Sequence, residues 1–335
     1  MRVTAVVVNH DTSSHLAACL DSLLEQDHPH LRIVVVDNCS RDDPEAVLRQ
    51  YEGRVEVVRN DHNRGYAGAL NDVLSRDDGD ALLACNPDVV LASDHVGRLV
   101  EALLADPRRG SVQGMLARPD GSVDSTGHEA LRSRLFRNRD EGRPASHCDR
   151  PAGPVFGVTG ALALHRRAML DDVALDAPGF GRVEWFDEDL FAYFEDIELD
   201  WRAATRGWHA WYEPRARATH VRRGMQPGRP ALVEELNWRN RLLLLVKFDD
   251  VASLARSLPS VLATTLLKTA VLAARHPVAL LRAVSGFLRR LPRMLAKRRE
   301  LRRRASVPPT AVADRWFQPF SYREWWGRYW RRQRP

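Results

Sequence analysis

Two acidic segments that follow aromatic residues contain the carboxylates best suited to proton transfer. Phe186-Asp187-Glu188 comes first, and Phe194-Glu195-Asp196 follows it. An aromatic wall removes water from a neighbouring carboxylate and raises its pKa, which is what a general base requires. The same acids would also be favoured at the start of a helix, where the macrodipole is positive. The pattern alone leaves a general base and a helix terminus equally open.

A second group suited to chemistry is Asn86-Pro87-Asp88, which directly follows an apolar segment. Residues two apart on a strand point to the same side, so two oxygen-bearing side chains could face one cation. Mg²⁺ prefers oxygen ligands and usually keeps water and substrate phosphates as the others. An Asn-Pro pair is also a common turn signal, so a plain turn is the alternative.

Two further segments have residue types suited to binding. Asn63-Arg64-Gly65-Tyr66-Ala67 places small residues at a helix start, where backbone amides can approach a phosphate. It is neither the Gly-x-Gly-x-x-Gly fingerprint nor a Walker loop, which argues against a nicotinamide dehydrogenase. His220 follows an apolar segment and is either a ligand or a hydrogen-bonded structural residue.

The elements expected to position these groups alternate along the first 110 residues. Apolar strands are predicted at residues 3–8, 33–36, 55–58 and 81–85, with amphipathic helices between them. Such strands indicate a parallel sheet covered on both faces, and ligands of such sheets bind beyond the carboxyl ends of the strands. Ordinary loop polarity is the alternative explanation for the polar residues at each strand end. These are Asn9, Asp37-Asn38, Asn60-Asp61 and Asn86-Pro87-Asp88.

The rest of the chain is predicted to be less regular at first and then helical. Residues 111–155 show little periodicity, and the charged stretch 137–150 is predicted to form a loop over the site. Helices are expected at 236–246 and twice within 251–304, followed by a linker at 307–309. Aromatic residues concentrated in 316–330 could anchor in lipid headgroups or fold back on the catalytic part.

Composition excludes several classes of protein. The chain has 335 residues, a net charge of +6 and four widely spaced cysteines, so a zinc site or disulfide framework is not expected. No signal peptide and no membrane-spanning helix is expected, because Lys268, Arg275, His276 and Pro277 interrupt the most apolar stretch. The basic run 282–304 suits anionic lipid, a helical cap or a dimer surface, and it lacks a nucleic-acid-binding module.

In their order along the chain, these segments resemble the inverting family 2 glycosyltransferases, and most closely the bacterial rhamnosyltransferase-like branch. The resemblance covers roughly residues 1–225 and implies the α/β fold called GT-A, a mainly parallel sheet flanked by helices, here with a C-terminal helical extension. The segments that carry it are Val6-Val7-Val8-Asn9, Val35-Val36-Asp37-Asn38-Cys39-Ser40, Asn63-Arg64-Gly65-Tyr66-Ala67, Asn86-Pro87-Asp88, Thr159-Gly160-Ala161, Phe186-Asp187-Glu188, Glu195-Asp196-Ile197-Glu198-Leu199 and His220.

The resemblance also implies roles for individual residues. Asp196 would be the catalytic base, with Glu195 beside it, in a single displacement that inverts the anomeric carbon. Mg²⁺ or Mn²⁺ would be the cofactor. Relatives often have Asp-x-Asp where this chain has Asn86-Pro87-Asp88, a form shared by the rhamnosyltransferase-like branch, so Asn86 as a metal ligand stays open. The implied nucleotide-sugar-binding residues are Asn9, Asp37, Asn38, Arg64, Gly65, Asn86 and Asp88, the acceptor-binding residues Gly160 and Ala161, and the metal ligands Asp88 and His220.

The predicted organisation is a catalytic domain at 1–228 and a helical, basic region at 229–335. The catalytic domain would divide into a nucleotide-sugar half, about 1–115, and an acceptor half, about 116–228. The donor implied first is dTDP-rhamnose, and the acceptor is a glycan or lipid-linked hydroxyl. The protein is expected in the cytoplasm, peripheral on the inner face of the membrane, with a homodimer left open. A nucleotidyltransferase and a catalytically silent sugar-nucleotide-binding scaffold are the alternatives.

Overall fold

One mixed sheet forms the centre of the protein. The structure, a computed structural model, describes residues 1–175, 182–222 and 230–323. The sheet order is β10-β12-β6-β11-β4-β1-β2-β3, with β5 paired to β12 and β7 paired to β6. Its strands are β1 (Val3–Asn9), β2 (Leu31–Asp37), β3 (Glu56–Arg59), β4 (Ala81–Cys85), β5 (Val89–Leu91), β6 (Arg109–Ala117), β7 (Val123–Ser125), β10 (Gly153–Val155), β11 (Leu162–Arg166) and β12 (His209–His220).

A second, small sheet has the order β13-β8-β9, and helices cover both sheets. Its strands are β8 (His128–Leu131), β9 (Phe136–Asn138) and β13 (Phe317–Gln318). The helices are α1 (Ser13–Leu24), α2 (Glu45–Leu48), α3 (Gly65–Leu74), α4 (His95–Leu104), α5 (Arg167–Val173), α6 (Glu195–Thr205), α7 (Pro230–Phe248), α8 (Val251–Arg275), α9 (Pro277–Arg304) and α10 (Pro309–Trp316).

The first four strands confirm the predicted parallel arrangement. β1 pairs in parallel with β2 and β4, and β2 pairs in parallel with β3. Every residue of β1 is buried, because its two faces pack into separate cores. Val7 packs with α1 and α4 on one face, and Val6 packs with α3 on the other. The polar carboxyl ends of these strands therefore lie along one edge of the sheet.

The other half of the sheet is mixed and more regular than expected. β11 runs antiparallel to both β4 and β6, whereas β12 runs parallel to β6. Residues 111–155, expected to be largely irregular, contain most of β6, a nearly fully buried strand of the central sheet. The strand was missed because polar Ser111 and Gln113 interrupt its apolar residues. Both polar side chains are satisfied inside the core, Ser111 by His165 and Gln113 by Ser125.

The C-terminal helices pack directly on the catalytic part, as the helical-cap interpretation expected. The Trp201 and Phe248 rings stack with centroids 4.8 Å apart, and Met294 of α9 joins the same core. Two buried lysines strengthen this contact, since Lys247 of α7 and Lys297 of α9 both bind the Asp187 carboxylate. The predicted boundary at residue 228 lies outside the described residues, so the division into domains stays a prediction.

The tail also returns to the catalytic part. β13 pairs in parallel with β8, and the Phe317 ring lies 5.0 Å from the Trp201 ring and 5.8 Å from the Phe156 ring. This supports folding back for the start of the predicted aromatic cluster. The rest of that cluster, residues 324–330, lies outside the described residues.

Within the described ranges, one helix is long and apolar enough to cross a membrane by length and composition. This helix is α8, and 22% of its most apolar stretch is buried in the protein. The single charge of Lys268 does not lower the mean hydropathy of α8 below this criterion, and the expectation of no membrane-spanning helix stays a prediction. Length and composition alone do not distinguish a spanning helix from one that lies on a surface.

Candidate active site

A cavity of about 530 Å³ opens at the carboxyl ends of the central strands. This is the edge at which the sequence predicted ligand binding. Strand ends form its floor, and the first turns of α3, α6 and α7 form its walls. Its lining includes Asn38, Gly65, Asn86, Asp88, Gly160, Ala161, Glu195, Asp196 and His220 from the predicted set.

Asn38 holds together the loop that precedes α3 at one side of the cavity. Its amide nitrogen donates to the Gly65 carbonyl at 3.1 Å and to Asn63 Oδ1 at 3.0 Å. Its amide oxygen accepts from the Arg64 backbone N–H at 3.0 Å and from Asn60 Nδ2 at 3.1 Å. Because every polar atom of this buried side chain is used, Asn38 fixes the shape of the loop that precedes α3.

Gly65 lies where no other residue type would fit. Its φ is +71°, and a Cβ built on it would overlap the carbonyl oxygen of Phe191. The next residue, Tyr66, donates its hydroxyl to the Gly160 carbonyl at 2.7 Å. The start of α3 therefore contacts two loops across the cavity, the one that contains Phe191 and the one that contains Gly160.

Asn9 and Asp37 lie beside the cavity and do not line it. Asn9 is buried, accepts from the Thr12 hydroxyl at 2.8 Å and donates to Ser40 Oγ at 3.0 Å. Asp37 accepts from the Ser40 backbone N–H at 3.3 Å. Both predicted nucleoside-binding residues thus support the loops, while the neighbouring His10 lines the cavity.

Arg64 also points away from the cavity. Its guanidinium donates to Asp72 Oδ1 at 2.8 Å and lies 3.6 Å from Glu188 Oε2. Arg182 binds the same two carboxylates. The predicted contact of Arg64 with a diphosphate therefore has no support in this conformation, because its charge is already neutralised within a four-residue cluster.

Asp88 and His220 meet at the cavity wall. His220 Nε2 lies 3.3 Å from Asp88 Oδ1, and its Nδ1 lies 2.8 Å from Asp124 Oδ2. Burial opposes the protonation of His220, yet the hydrogen bonds to Asp124 and Asp88 raise its pKa to about 9. Asp124 is buried and also binds Arg118 at 3.1 Å, so its charge and position are fixed.

This pair fits a divalent cation. Mg²⁺ and Mn²⁺ suit carboxylate and water ligands, and Mg²⁺ is commonly held by one or two protein groups together with substrate phosphates. An imidazolium has no free lone pair, so a divalent cation bound by this pair would replace the proton on His220 Nε2, and the carboxylates that stabilise that proton would also stabilise the charge of the metal. Among the described residues there is no group of three or more His, Cys, Asp or Glu side chains arranged for a metal. A cation held by Asp88 and His220 would therefore take further ligands from a diphosphate and water.

Asn86 lines the cavity beside this pair. Its backbone N–H donates to the Ala161 carbonyl at 2.8 Å. Its backbone carbonyl accepts from the Cys85 thiol at 3.3 Å. These contacts hold the backbone of Asn86-Pro87-Asp88 against the loop before β11. They leave open whether the Asn86 side chain binds a cation.

Asp196 is held at the opening of α6 by backbone amides. Its Oδ2 accepts from the Gly160 N–H at 2.9 Å, and its Oδ1 accepts from the Ile197 N–H at 2.8 Å. A Cβ built on Gly160 would stand at an ordinary contact distance of 3.5 Å from the Asp196 side chain, so the two residues are in close contact. The carboxylate is thus oriented and still lines the cavity, as a general base requires.

Glu195 lies beside Asp196 in a different environment. Burial, together with the charge of Asp196, raises the pKa of Glu195 to about 8. Its Oε2 is buried and has no hydrogen-bond partner within the described ranges. The raised pKa makes Glu195 a neutral carboxylic acid at pH 7, whereas the adjacent Asp196 accepts hydrogen bonds from two backbone N–H groups.

The loop before α6 has an unusual backbone. Phe191, Tyr193 and Phe194 all have positive φ, between 65° and 73°. Such conformations are costly for aromatic residues and persist where the surroundings impose them. Asn240 of α7 imposes this one, since its amide nitrogen lies 2.7–2.9 Å from the carbonyls of residues 190, 192 and 193. α7 thereby shapes the wall beside Asp196.

The first acidic segment does not supply a base. Asp187 is fully buried between Lys247 and Lys297, at 2.6 and 2.5 Å. Glu188 accepts from Asn71 Nδ2 at 2.8 Å and binds Arg182. The first segment is thus neither a general base nor a helix start, because Asp187 and Glu188 lie before α6 and bind cationic side chains. The second segment begins α6, and its Asp196 faces the cavity.

Comparison with known proteins identifies the family. Residues 4–173 match the family described as Glycosyl transferase family 2. The chain belongs to this family. It is therefore a glycosyltransferase, an enzyme, and the predicted family is confirmed.

A relative from Mycobacterium tuberculosis is named N-acetylglucosaminyl-diphospho-decaprenol L-rhamnosyltransferase. It is 28% identical over 239 residues, which cover 64% of this glycosyltransferase and 74% of the relative. A putative teichuronic acid biosynthesis glycosyltransferase of Bacillus subtilis is 29% identical over 105 residues, covering 30% of this chain and 42% of that protein.

Two solved structures confirm the GT-A fold. GalNAc-T7 with UDP, GalNAc and Mn²⁺ aligns with a TM-score of 0.57 at 17% identity, covering 75% of this glycosyltransferase and 48% of that chain. The mannosyltransferase PcManGT of Pyrobaculum calidifontis, with GDP-Man and Mn²⁺, aligns with a TM-score of 0.52 at 21% identity. That match covers 94% of this chain and 87% of the other.

Sequence reasoning missed three residues of the glycosyltransferase site. Asp124 positions His220, Asn240 shapes the loop before Asp196, and His128 lines the cavity 3.5 Å from Asp196. Asp124 and His128 stand in Asp124-Ser125-Thr126-Gly127-His128, a polar stretch with a turn-forming glycine. That concentration of polar residues was the available signal, but nothing local to it indicates contact with residues 196 and 220.

Proposed function

We propose that this glycosyltransferase transfers a sugar from a nucleotide-diphosphate donor to a hydroxyl of a glycan or lipid-linked acceptor, with inversion and with Asp196 as general base. One observation carries the proposal. A single cavity is lined both by an oriented carboxylate, Asp196, and by a pair suited to a diphosphate-bound cation, Asp88 and His220. Proton removal and leaving-group stabilisation can therefore act on one bound donor.

In the proposed reaction, Asp196 takes the proton of the acceptor hydroxyl while that oxygen attacks the anomeric carbon. The bond from that carbon to the diphosphate breaks as the new bond forms on the opposite face, so the configuration inverts. When bound, Mg²⁺ or Mn²⁺ supplies Lewis-acid stabilisation of the diphosphate charge. Asp88 and His220 are the residues that would hold it, and Asn38 with Gly65 would shape the loop around the nucleotide.

The proposed donor is dTDP-rhamnose, and the proposed acceptor is a lipid-linked N-acetylglucosaminyl diphosphate. Support comes from the Mycobacterium tuberculosis relative, whose name specifies rhamnosyl transfer to a diphospho-lipid. The Gly160-Ala161 backbone beside Asp196 is the proposed acceptor contact, because Gly160 N–H already orients the base. The apolar wall from Leu232 and Leu236 of α7 would suit the first part of a lipid chain.

The assay for this proposal incubates the protein with dTDP-rhamnose, N-acetylglucosaminyl-diphospho-decaprenol and Mn²⁺, with UDP- and GDP-sugars as alternative donors. We expect rhamnosyl product, and a donor-plus-Mn²⁺ rise in melting temperature of at least about 5 °C at a hundredfold excess over Kd. The Asp88→Asn variant is expected to lose the Mn²⁺-dependent rise and about 100-fold or more of kcat/KM.

The surface variant Asp94→Asn is the matched control and should behave as wild type, since the partly exposed Asp94 side chain binds Arg98 of α4 and does not line the cavity. Pyrophosphate release would instead identify a nucleotidyltransferase. Donor binding without product for any donor and acceptor would support the catalytically silent scaffold. Full activity and metal response in Asp88→Asn would remove Asp88 from the proposed metal site.

Membrane contact through the C-terminal helices is the second part of the proposal. The protein-facing side of α8 is polar: Thr269 accepts from Trp238 at 2.9 Å, and Thr264 and Thr265 accept from Arg241 at 3.0 and 2.8 Å. Its outward side is apolar and exposed, with Leu258, Leu262 and Leu266. The hydrogen bonds hold α8 along the protein surface, which favours an interfacial position over a spanning one.

α9 extends the same exposed apolar surface with Val278, Leu281 and Leu288, flanked by exposed Arg282 and Arg289. Cationic side chains around an apolar stripe match an anionic bilayer, which is the partner we propose. Peripheral attachment to the cytoplasmic face of the membrane belongs to this proposal, and a homodimer stays a prediction without further support.

Leu266→Asp is expected to reduce binding to phosphatidylglycerol-containing vesicles about tenfold or more. The change puts a charge in place of an exposed apolar side chain that would enter the bilayer. Vesicle sedimentation at low salt measures this. Leu104→Asp is the matched control, since Leu104 is equally exposed but lies on α4. Wild-type protein that stays in the supernatant with anionic vesicles would rule out this surface as a membrane contact.

A further inference from the structure

Behind Asp196 lies a buried row of three titratable side chains. His128 Nδ1 lies 3.1 Å from Asp200 Oδ2, and His128 Nε2 lies 3.5 Å from Asp196 Oδ2. The side chains of His128 and Asp200 are 4% and 1% exposed, whereas that of Asp196 is 18% exposed. The row therefore runs from the protein interior to the cavity and ends on the proposed base.

The surroundings of the row fix its geometry. The Val158 N–H donates to Asp200 Oδ2 at 3.0 Å, and a Cβ built on Gly157 would overlap the Asp200 carboxylate. The backbone N–H of His128 donates to the Gly157 carbonyl at 2.8 Å. Asp200 and His128 are thus both held by the backbone of the loop that ends at Gly160, the same loop that orients Asp196.

The charged groups acting on the His128 ring, within the described residues, come from one helix. α6 supplies Asp196 and Asp200, and the paired strand β9 places neutral Asn138 opposite His128. Burial opposes the charged ring, yet these two carboxylates hold the pKa of His128 above its ordinary value. Burial raises the pKa of Asp200 to about 7. Both pKa shifts therefore favour a proton on this hydrogen-bonded pair.

We propose that His128 and Asp200 share one proton and act as positioning residues for Asp196, with the His128 Nε2–H directed at Asp196 Oδ2. Oδ2 then accepts from the Gly160 N–H and faces the His128 Nε2–H at 3.5 Å, while Oδ1, among the described residues, accepts from the Ile197 N–H. Oδ1 is the oxygen left to receive the acceptor proton. This inference deepens the proposed function and rests on it for the identity of the base.

The proton balance of the step is simple. The acceptor O–H bond breaks and an O–H bond forms at Asp196 Oδ1, while the acceptor oxygen bonds the anomeric carbon and the diphosphate leaves with the electron pair of its bond. The proton shared by His128 and Asp200 stays with them. The positive charge that this proton places on the His128 ring faces Asp196 Oδ2 at 3.5 Å, so it attracts the carboxylate and helps to hold it in position.

A first test needs no substrate. In full-length protein labelled with ¹⁵N-histidine, the ring of His128, assigned by its loss in His128→Gln, should carry a proton on Nε2 throughout pH 6–8. Asp200→Asn should lower the pKa of His128 by at least about one unit, since it removes an adjacent carboxylate. A His128 ring with its proton only on Nδ1 at pH 7 would overturn the proposal, whatever the enzyme transfers.

A second test follows kcat/KM against pH with dTDP-rhamnose, N-acetylglucosaminyl-diphospho-decaprenol and Mn²⁺. His128→Gln keeps a hydrogen-bond donor but not the charge, so the acid limb should move up by about one pH unit or more, with the donor KM unchanged. His165→Gln is the matched control. His165 is equally buried but binds Ser111, so its loss should leave the acid limb in place.

The two tests separate the possible failures. A wild-type protein without transferase activity contradicts the proposed function, while the ring protonation still decides the proposal on His128 and Asp200. Active His128→Gln with an unmoved acid limb overturns the positioning role. If circular dichroism shows that His128→Gln does not fold, Asp200→Asn replaces it in the second test. The acid limb of Asp200→Asn is then expected to move up by about one pH unit or more. An acid limb that does not move would contradict the proposal.

Discussion

Asp196→Asn is expected to lower kcat of the glycosyltransferase by about 10²–10⁴-fold, the usual contribution of a general base. Asparagine has the same shape and can still accept the Gly160 N–H at its oxygen, so the fold of the loop should survive. An amide cannot take the acceptor proton, however, and the loss should therefore fall on kcat and not on the KM of the donor. Initial rates at saturating dTDP-rhamnose measure it.

Glu195→Gln is the control that gives this prediction its value. The pKa of Glu195 is raised to about 8, so the group is protonated and neutral below that pH. Glutamine reproduces a neutral carboxyl, and we expect activity within about threefold of wild type between pH 6 and 7. If Glu195→Gln were the inactive variant and Asp196→Asn the active one, the base would be Glu195 and the assignment of Asp196 would be wrong.

Lys297→Met is expected to destabilise the protein by about 3–5 kcal/mol, because it removes a buried cation that three carboxylates share, so that Lys247 and Arg293 alone must balance their charge. Lys297 Nζ lies 2.5 Å from Asp187, 2.9 Å from Glu184 and 2.8 Å from Asp189. Burial already raises the pKa of Glu184, and only the lysines hold the pKa of Asp187 far below its ordinary value. Thermal unfolding should show a fall of about 4–7 °C in Tm for a chain of 335 residues.

The pH dependence of the Tm difference between wild type and Lys297→Met follows from the directions of the pKa shifts of Lys297 and Asp187. The raised pKa of Lys297 gives stability that is present below its unfolded value, roughly 10.4, and is lost only at higher pH. The lowered pKa of Asp187 gives stability that is present above roughly 3.9 and is lost in acid. Between pH 6 and 8 the Tm difference should therefore stay constant.

Arg303→Met is the matched control on the same helix. Arg303 is exposed and binds only Glu300, so its replacement should change Tm by less than about 2 °C. Equal Tm values for Lys297→Met and wild type would show that Lys297 does not stabilise the contact between α9 and the catalytic part, and that the apolar contacts there suffice.

The parts of the fold that were predicted from sequence are those with local signals. The apolar run Val6-Val7-Val8 of β1 indicates a buried strand, and the stripe of Leu16, Leu20 and Leu23 indicates the helix α1. Neither prediction needs any other part of the chain. β6 was missed because its buried polar side chains are satisfied by distant partners. A sequence pattern shows a polar residue but not the partner that allows it to be buried.

For the site, too, residues with local sequence signals could be predicted and residues with distant partners could not. Asp88, Asp196 and His220 were recognised because they end or begin regular elements and match a family order. Asn9 was placed in the cavity, but alternate residues of a strand point to opposite sides, and Val8 lines the cavity in its place. His128 could not be found, since its partners Asp196 and Asp200 lie far along the chain and only the folded sheet brings them together.

The pairing of β13 with β8 has a consequence for the order in which the enzyme becomes competent during synthesis. The nucleotide side is built from the first residues to leave the ribosome, and such units can fold while the rest is being made. β8 begins with His128, yet its edge is completed only by Phe317–Gln318. We therefore expect the nascent chain to acquire its donor-binding loops early and its finished proton-transfer side late, so that a chain released or cut before residue 317 would hold a sugar nucleotide without transferring it efficiently.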